Sequence, residues 1–331
     1  MEPFDARHSA AGMTNPKSPR SDERTVVVIG GANVDLLGVA CGELNAEDSN
    51  IGRISESPGG VGRNIAENLA RLGVRPRLIS AFGTDAHGRW LREECTRDGI
   101  DIEAALDVTD VPGSRYLAIS DAGGDMRLAL NDMRALDLIT PDVLAHAAPL
   151  LARAAVVVAD TNLSDDTLTW LANTCTAPLL VDPVSSAKAS RVSALLDRVY
   201  ALKLNVLEAG AMLGHPPNAD DDAECEAAVS ALLARGVKRV FLTRGPAGVI
   251  AADATEMLSL PAPRVTIANV TGAGDAFSAG VAYATLGGMS LRRSAEIGSA
   301  MAALALASER TVSLAVEASA VLNSPEGVVN P

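Results

Sequence analysis

Short apolar runs recur along the chain, each ending in a polar or glycine-rich turn, and most are followed by a segment with helical spacing. Thr25-Val-Val-Val-Ile29 opens the series and runs into Gly30-Gly31. A β-branched run of this kind, bounded by glycine, predicts a parallel strand buried on both faces. Arg77–Gly83, Ala154–Ala159, Pro178–Val181, Arg198–Leu202 and Arg239–Thr243 have the same character. Helical patterns lie at Ile65–Leu72, Gly88–Asp98, Asp165–Asn173 and Ala223–Arg235. Strand alternating with helix predicts βαβ crossovers, hence an α/β fold with a parallel sheet covered on both faces. The Ala-rich stretches Leu291–Ser308 and Leu314–Leu322 read as packing helices.

Two regions break this rhythm. Residues 36–57 hold only short β-like pieces, around Gly38–Ala40 and Ile51–Ser57, and Ser114–Ser120 and Met126–Asn131 flank the turn Asp121-Ala-Gly-Gly-Asp125. The second pair is a hairpin signal. Together the segments at about 36–57 and 114–132 predict a small antiparallel sheet apart from the main one. Residues 1–24 are polar, without periodicity, and read as a disordered tail before a single domain at 25–325.

Charge and composition narrow the partners. The chain of 331 residues carries a net charge of −13 and no Lys/Arg-rich run, which argues against nucleic acid and anionic membrane. No apolar run approaches the ~20 residues of a membrane span. Cys41, Cys95, Cys175 and Cys225 are scattered, as are His8, His87, His146 and His215, so neither a disulfide set nor a zinc site is expected. These features predict a cytoplasmic protein.

The chemistry concentrates at Asn269-Val-Thr-Gly-Ala-Gly-Asp-Ala-Phe277. Gly272 and Gly274 permit a tight turn, and the small apolar residues after Asp275 predict a buried helix beginning there. A helix N-terminus offers free N–H groups and a positive dipole, which suits phosphate. Asp275 at that point either caps the helix or accepts a proton from a hydroxyl. A second glycine-rich turn, Pro58-Gly-Gly-Val-Gly-Arg-Asn64, precedes another helix; it is neither a P-loop nor a dinucleotide fingerprint. Polar residues also gather at the predicted carboxyl ends of strands: Asn33, Asp35, Asp160, Asn162, Asp182, Lys203, Asn205 and Arg244-Gly245. Ligands collect there in open α/β sheets, although Asp160 and Asp182 also fit as helix caps.

These motifs, in this order, resemble the ribokinase-like (pfkB) family of carbohydrate and nucleoside kinases over about residues 25–322. The resemblance implies a three-layer α/β/α sandwich with a small β-sheet lid, ATP and Mg²⁺ as cofactors, and Asp275 as the base acting on the acceptor hydroxyl. It implies an anion hole built by Gly272, Ala273 and Gly274, and nucleotide contacts at Asn205, Thr243, Arg244, Gly245, Gly248 and Thr271. Glu208 would hold the metal through water. Asn33, Asp35, Gly59, Gly60 and Asn64 would hold the sugar, with Asn162. Lys203 receives no catalytic role. Leu44–Arg53, Gly60–Asn68, Leu130–Met133 and Val158–Ser164 are most similar to the branch that phosphorylates pseudouridine at the ribose 5′-hydroxyl. On that reading Ser49, Asn131 and Lys188 are the candidates for touching the base. Other nucleosides, a free sugar, or a non-catalytic sugar sensor are the alternatives. K⁺ is a further candidate cofactor, but Ala307-Ser-Glu-Arg-Thr311 departs from the ribokinase loop that helps hold a monovalent cation. The short lid strands also predict a homodimer formed through the lid.

Overall fold

The computed structural model describes residues 25–45 and 47–322, so the expected tail at 1–24 lies outside the described residues. Strand β1 (Thr25–Ile29) leads into β2 (Asn33–Ala40) and β3 (Gly52–Gly59), then helix α1 (Val61–Arg71) and β4 (Pro76–Ile79). A short parallel pair follows, β5 (Ala81–Gly83) and β6 (Leu106–Val108), with α2 (Ala86–Arg97) between them. Then come β7 (Arg115–Ser120), β8 (Met126–Asp132), α3 (Pro141–His146) and α4 (Ala148–Leu151). The alternating half holds β9 (Ala154–Asp160), α5 (Asp165–Thr174), β10 (Leu179–Asp182), α6 (Ser186–Ala189), β11 (Ala201–Asn205), α7 (Val206–Leu213) and α8 (Asp222–Ala234). It closes with β12 (Arg239–Thr243), β13 (Val249–Asp253), β14 (Met257–Leu260), α9 (Ala273–Leu286), α10 (Leu291–Leu306) and α11 (Ala318–Leu322).

The main sheet has the order β14-β13-β12-β11-β10-β9-β1-β4. Successive side chains of a strand point to opposite faces, and β1 shows the result directly. Val26 and Val28 pack with Ile65 and Leu69 of α1, Phe277 of α9 and Met301 of α10. Val27 and Ile29 pack with Leu144, Leu168, Leu171, Val229 and Leu232 on the other side. The chain is therefore a three-layer α/β/α sandwich. Helices α9 and α10 approach closely at Gly280, where a Cβ would lie 2.8 Å from the Gly298 Cα, and this contact fixes the direction of α9.

The small sheet has the order β3-β2-β7-β8. It is mixed rather than antiparallel, because β2 and β7 run parallel. The main sheet likewise gains an antiparallel edge in β13 and β14, which the pattern of crossovers does not announce. The strand expected at Arg198–Leu202 begins three residues later, since Leu196–Arg198 is a 3₁₀ turn. The helix expected from Leu314 begins only at Ala318. Helix α1 begins earlier than its apolar spacing suggests, at Val61, so Arg63 and Asn64 stand in its first turn.

Candidate active site

The carboxyl ends of β1, β9, β10 and β11 and the N-termini of α1 and α9 converge on one region. Its centre is Asp275, in the first turn of α9, whose Oδ2 accepts a hydrogen bond of 2.8 Å from Asn64 Nδ2 in the first turn of α1. Burial pushes the Asp275 carboxyl up to about 7, helped by Asp182 and Asp160, while Asn64 and Lys203 hold it down. A carboxylate so placed can accept a proton near neutral pH.

Two further acids support this centre. Asp160 ends β9 and is fully buried; its Oδ2 accepts from the N–H of Gly31 (2.7 Å) and of Gly62 (2.9 Å), and its Oδ1 from the N–H of Asn162 (2.9 Å). Burial raises its carboxyl to about 6 despite these bonds. Asp182 ends β10, where its Oδ2 accepts from Ser278 Oγ (2.7 Å) and Lys203 Nζ (3.2 Å). Of the two readings left open for these acids, Asp160 does cap a helix, but α1 rather than its sequence neighbour.

Lys203, unassigned from sequence, sits inside this cluster. Burial pulls its pKa down, yet Asp182, Glu208 and Asp275 outweigh burial and hold it above the ordinary lysine range. A Cβ on Gly274 would lie 2.6 Å from its Nζ, so the ammonium stands against the turn that opens α9. Gly272 takes φ 84° as the N-cap, and a Cβ there would overlap the Thr311 carbonyl. Among the described residues, no side chain caps this helix end. Ser278, also missed, lies one turn beyond Asp275; that i, i+3 spacing was the available signal.

On one side of Asp275 lie the proposed sugar contacts. Asn33 Nδ2 donates to Asp35 Oδ1 at 2.6 Å, and the Asp35 carboxylate lies so close to Gly59 that a Cβ would overlap it. Burial raises the Asp35 pKa, against the pull of Asn33 and Arg63. Gly60 adopts φ 97° where its backbone passes Gly31 and Ala32. Asn162 lies over Gly31, with a Cβ there 2.8 Å from its Nδ2, and its Oδ1 accepts 2.6 Å from Lys188 Nζ. Asn131 is exposed, but register places Ser57, Asp35, Tyr116 and Asn131 in one cross-strand row on one face of the small sheet. Ser49 is not brought to this group. It stands on the loop beyond the Ala40↔Gly52 pair, its N–H bonded to Asp48 Oδ1, at the far end of the ladder from Asn33↔Gly59. Seven steps of strand separate those ends, about 23 Å.

On the other side lie the proposed nucleotide contacts. Asn205 and Glu208 form a capping box at α7: Asn205 Oδ1 accepts from the Leu207 and Glu208 N–H groups, and Glu208 Oε2 from the Asn205 N–H. Burial raises the Glu208 pKa against the pull of Lys203. Among the described residues, no three His, Cys, Asp or Glu side chains gather into a metal-holding cluster. Thr243 Oγ1 donates to the Leu204 carbonyl, and the Thr271 N–H to Asn269 Oδ1. Arg244 is turned inward, its terminal nitrogens held by Asp222, Ser259 and the Ala219 and Ala247 carbonyls, so its side chain serves the fold rather than a ligand. Gly245 and Gly248 take φ 59° and 91°, and a Cβ on Gly248 would overlap the Leu260 carbonyl; both shape the turn after β12.

A family described as pfkB family carbohydrate kinase matches residues 23–318. The chain belongs to the pfkB family. Among its relatives, pseudouridine kinase of Escherichia coli K12 is 39% identical over 289 residues, spanning 86% of this chain and 91% of that protein. A sugar kinase of the same bacterium is 36% identical, over 87% of this chain and 80% of its own. Among solved structures, a carbohydrate kinase from Agrobacterium tumefaciens superposes with a TM-score of 0.79 and 31% identity, covering 90% of this chain and 96% of its own. Arabidopsis thaliana ribokinase complexed with ribose and ATP also superposes at 0.79, with 21% identity, over 91% and 97% of the two chains.

Proposed function

We propose that this pfkB kinase transfers the terminal phosphoryl group of ATP to the 5′-hydroxyl of pseudouridine. The observation that carries the reading is Asp275: a carboxylate pushed up to about 7 stands beside an uncapped helix end and under the buried Lys203 ammonium. Asp275 takes the proton of the hydroxyl as it attacks. The N–H groups of Ala273 and Gly274, with the α9 dipole and Lys203, hold the charge that develops on the phosphoryl oxygens. When bound, ATP supplies the phosphoryl group and Mg²⁺ neutralises its charge; the Glu208 carboxylate would hold that ion through water, as suits an ion that keeps most of its waters. Asp35 and Asn64 suit the vicinal 2′- and 3′-hydroxyls. The paired Asn162 and Lys188 offer an acceptor and a donor to the base.

The choice of pseudouridine leans on the E. coli relative of that activity, while the 36% identical sugar kinase favours a free sugar as the second reading. ATP turnover on pseudouridine, uridine, adenosine and ribose, with and without K⁺, separates them. The highest kcat/KM on pseudouridine is expected; faster turnover of ribose would overturn the assignment.

The small sheet serves in this proposal as a lid and as the contact between two copies. Ile54, Leu128 and Leu130 stand 80%, 54% and 60% exposed on strands β3 and β8, and register puts them on the face opposite Asp35. A second copy presents the same apolar face, which a two-fold axis makes self-complementary. Ile54→Asp should convert a dimer to a monomer in sedimentation, and a monomeric wild type would refute the contact. No helix among the described residues is long and apolar enough to cross a membrane, and all four cysteines are free, as suits the cytoplasm.

A further inference from the structure

Arg63 is 1% exposed, which is costly for a charge unless its partners repay the lost water. Its Nη2 pairs with Glu67 and, at 2.9 Å, with Asp98. Arg71 joins from the same helix, donating to Glu67 at 2.6 Å. Two guanidinium groups thus face two carboxylates, and the cluster is neutral. That balance accounts for one terminal nitrogen only. The other, Nη1, faces away from the acids and donates to Asn64 Oδ1 at 3.0 Å and to the Pro58 carbonyl at 3.3 Å.

The bond to Asn64 has a directional consequence. A side-chain amide can turn either its oxygen or its nitrogen toward a partner, and the two are nearly the same shape. A guanidinium has donors only, so it accepts no orientation but oxygen inward. With Oδ1 held, Nδ2 must face the other way, and there it donates to Asp275 Oδ2 at 2.8 Å. We propose that Arg63 is a positioning residue for the base: it locks the Asn64 amide in the one orientation that donates to Asp275. This inference rests on Asp275 being the proton acceptor. Lysine cannot replace Arg63, because one ammonium cannot serve the acids and the amide oxygen in the same plane.

The groups facing Asp275 set the sign of the effect. Asp182 on β10 and Asp160 on β9 raise its pKa; Asn64 on α1 and Lys203 on β11 lower it. On the other side of the relay, Arg63 is faced by Glu67, Asp98, Cys95 and, more remotely, Asp35. A released amide withdraws its N–H from the carboxylate, so Asp275 titrates higher. The acid limb of kcat/KM then moves to higher pH.

Two variants test this. Arg63→Met combined with Glu67→Leu removes the buried pair together and leaves Asp98 with Arg71, 3.9 Å away. Arg63→Lys keeps the charge and loses the fork. In each, the Asp275 carboxyl is titrated by ¹³C NMR in the free protein, and kcat/KM is followed against pH. Both measurements should move up by about one unit, and kcat should fall roughly 10- to 100-fold. In an Asn64→Ala background neither variant should add a further change, which a merely structural role would not reproduce. An unmoved titration, or an equal loss in the Asn64→Ala background, overturns the proposal. The titration needs no substrate. If it moves in a protein that phosphorylates no nucleoside, the relay stands and the nucleoside assignment falls. If the wild type phosphorylates pseudouridine and the titration stays put, the reverse holds.

Discussion

Two helices of this protein begin with nearly the same glycine-rich turn, and the fold treats them in opposite ways. At α1, the N–H of Gly62 is taken by the Asp160 carboxylate at 2.9 Å and that of Arg63 by the Gly31 carbonyl at 2.9 Å. The protein has supplied its own anion there. At α9, Ala276 is the donor of the first helical bond, to Gly272, and among the described residues no side chain caps the turn before it. A cation, Lys203, stands against that turn instead of an anion. The contrast teaches that glycines and a helix dipole define a place for negative charge without saying whose charge it is. The third residue to consult lies far away in sequence: Asp160 for one turn, Lys203 for the other.

The comparison breaks most visibly at Asp275. On the proposed reading Asp275→Asn keeps the hydrogen bond to Asn64 within reach but cannot take a proton, and kcat should fall ~10²- to 10⁴-fold or more. Nucleoside binding, measured by calorimetry, should stay near the wild-type value. Near-normal turnover in a folded variant would remove Asp275 from the mechanism.

Next in size is Asp160→Ala, which strips the anion from the α1 turn. The N–H groups of Gly31, Gly62 and Asn162 lose their acceptor together, at ~1–3 kcal/mol for each one left without a partner. Thermal unfolding should show a clear loss of stability, and added phosphate should recover part of it by filling the vacated turn. A stable variant indifferent to phosphate would mean that Asp160 is not the cap.

Gly274→Ala sharpens the contrast at the other turn. The new Cβ lands 2.6 Å from Lys203 Nζ, which must move although Asp182 holds it. We expect KM for ATP to rise and kcat to fall about tenfold, roughly 1.4 kcal/mol, with little change for the nucleoside. Unchanged kinetics with ATP would separate Lys203 from the phosphates.

The smallest effect is on stability against pH. The folded pKa of Asp275, about 7, lies above its ordinary value of 3.8, so folding favours the neutral acid. That contribution is complete below the ordinary value and is lost as pH rises through about 7. Asp275→Asn abolishes the loss, so its melting temperature relative to wild type should be higher at about pH 8 than at about pH 5. The same titration predicts that wild-type kcat/KM falls as pH drops below about 7. A flat difference across that range would contradict the raised pKa.

Much of the fold was legible in the chain because buried parallel strands are apolar on both faces, and β1, β9 and β12 announce themselves that way. β13 and β14 were not, since an antiparallel edge made of Val249–Asp253 and Met257–Leu260 carries no crossover helix to mark it. The start of α1 was hidden by glycine, which interrupts apolar spacing without ending the helix. In the site, Asp275, Asn64 and the strand-end acids stood out by position. Lys203 stood in the same strand-end set but without a role, and Arg63 did not stand out, because their roles depend on partners such as Asp182 and Asp98, which only the folded chain brings beside them. Arg244 erred in the other direction: a cation at a strand end reads as a phosphate ligand until Asp222 and Ser259 are seen to hold it.

The central question for this protein is which of the two turns receives the phosphoryl group. A crystal structure with ADP, aluminium fluoride, Mg²⁺ and pseudouridine reads this directly. The account predicts the fluoride anion about 3 Å from the N–H groups of Ala273 and Gly274, in line with the 5′-hydroxyl, with Gly62 still bound to Asp160. An anion seated on the Gly62 N–H, with Asp160 displaced and the α9 turn empty, would contradict it.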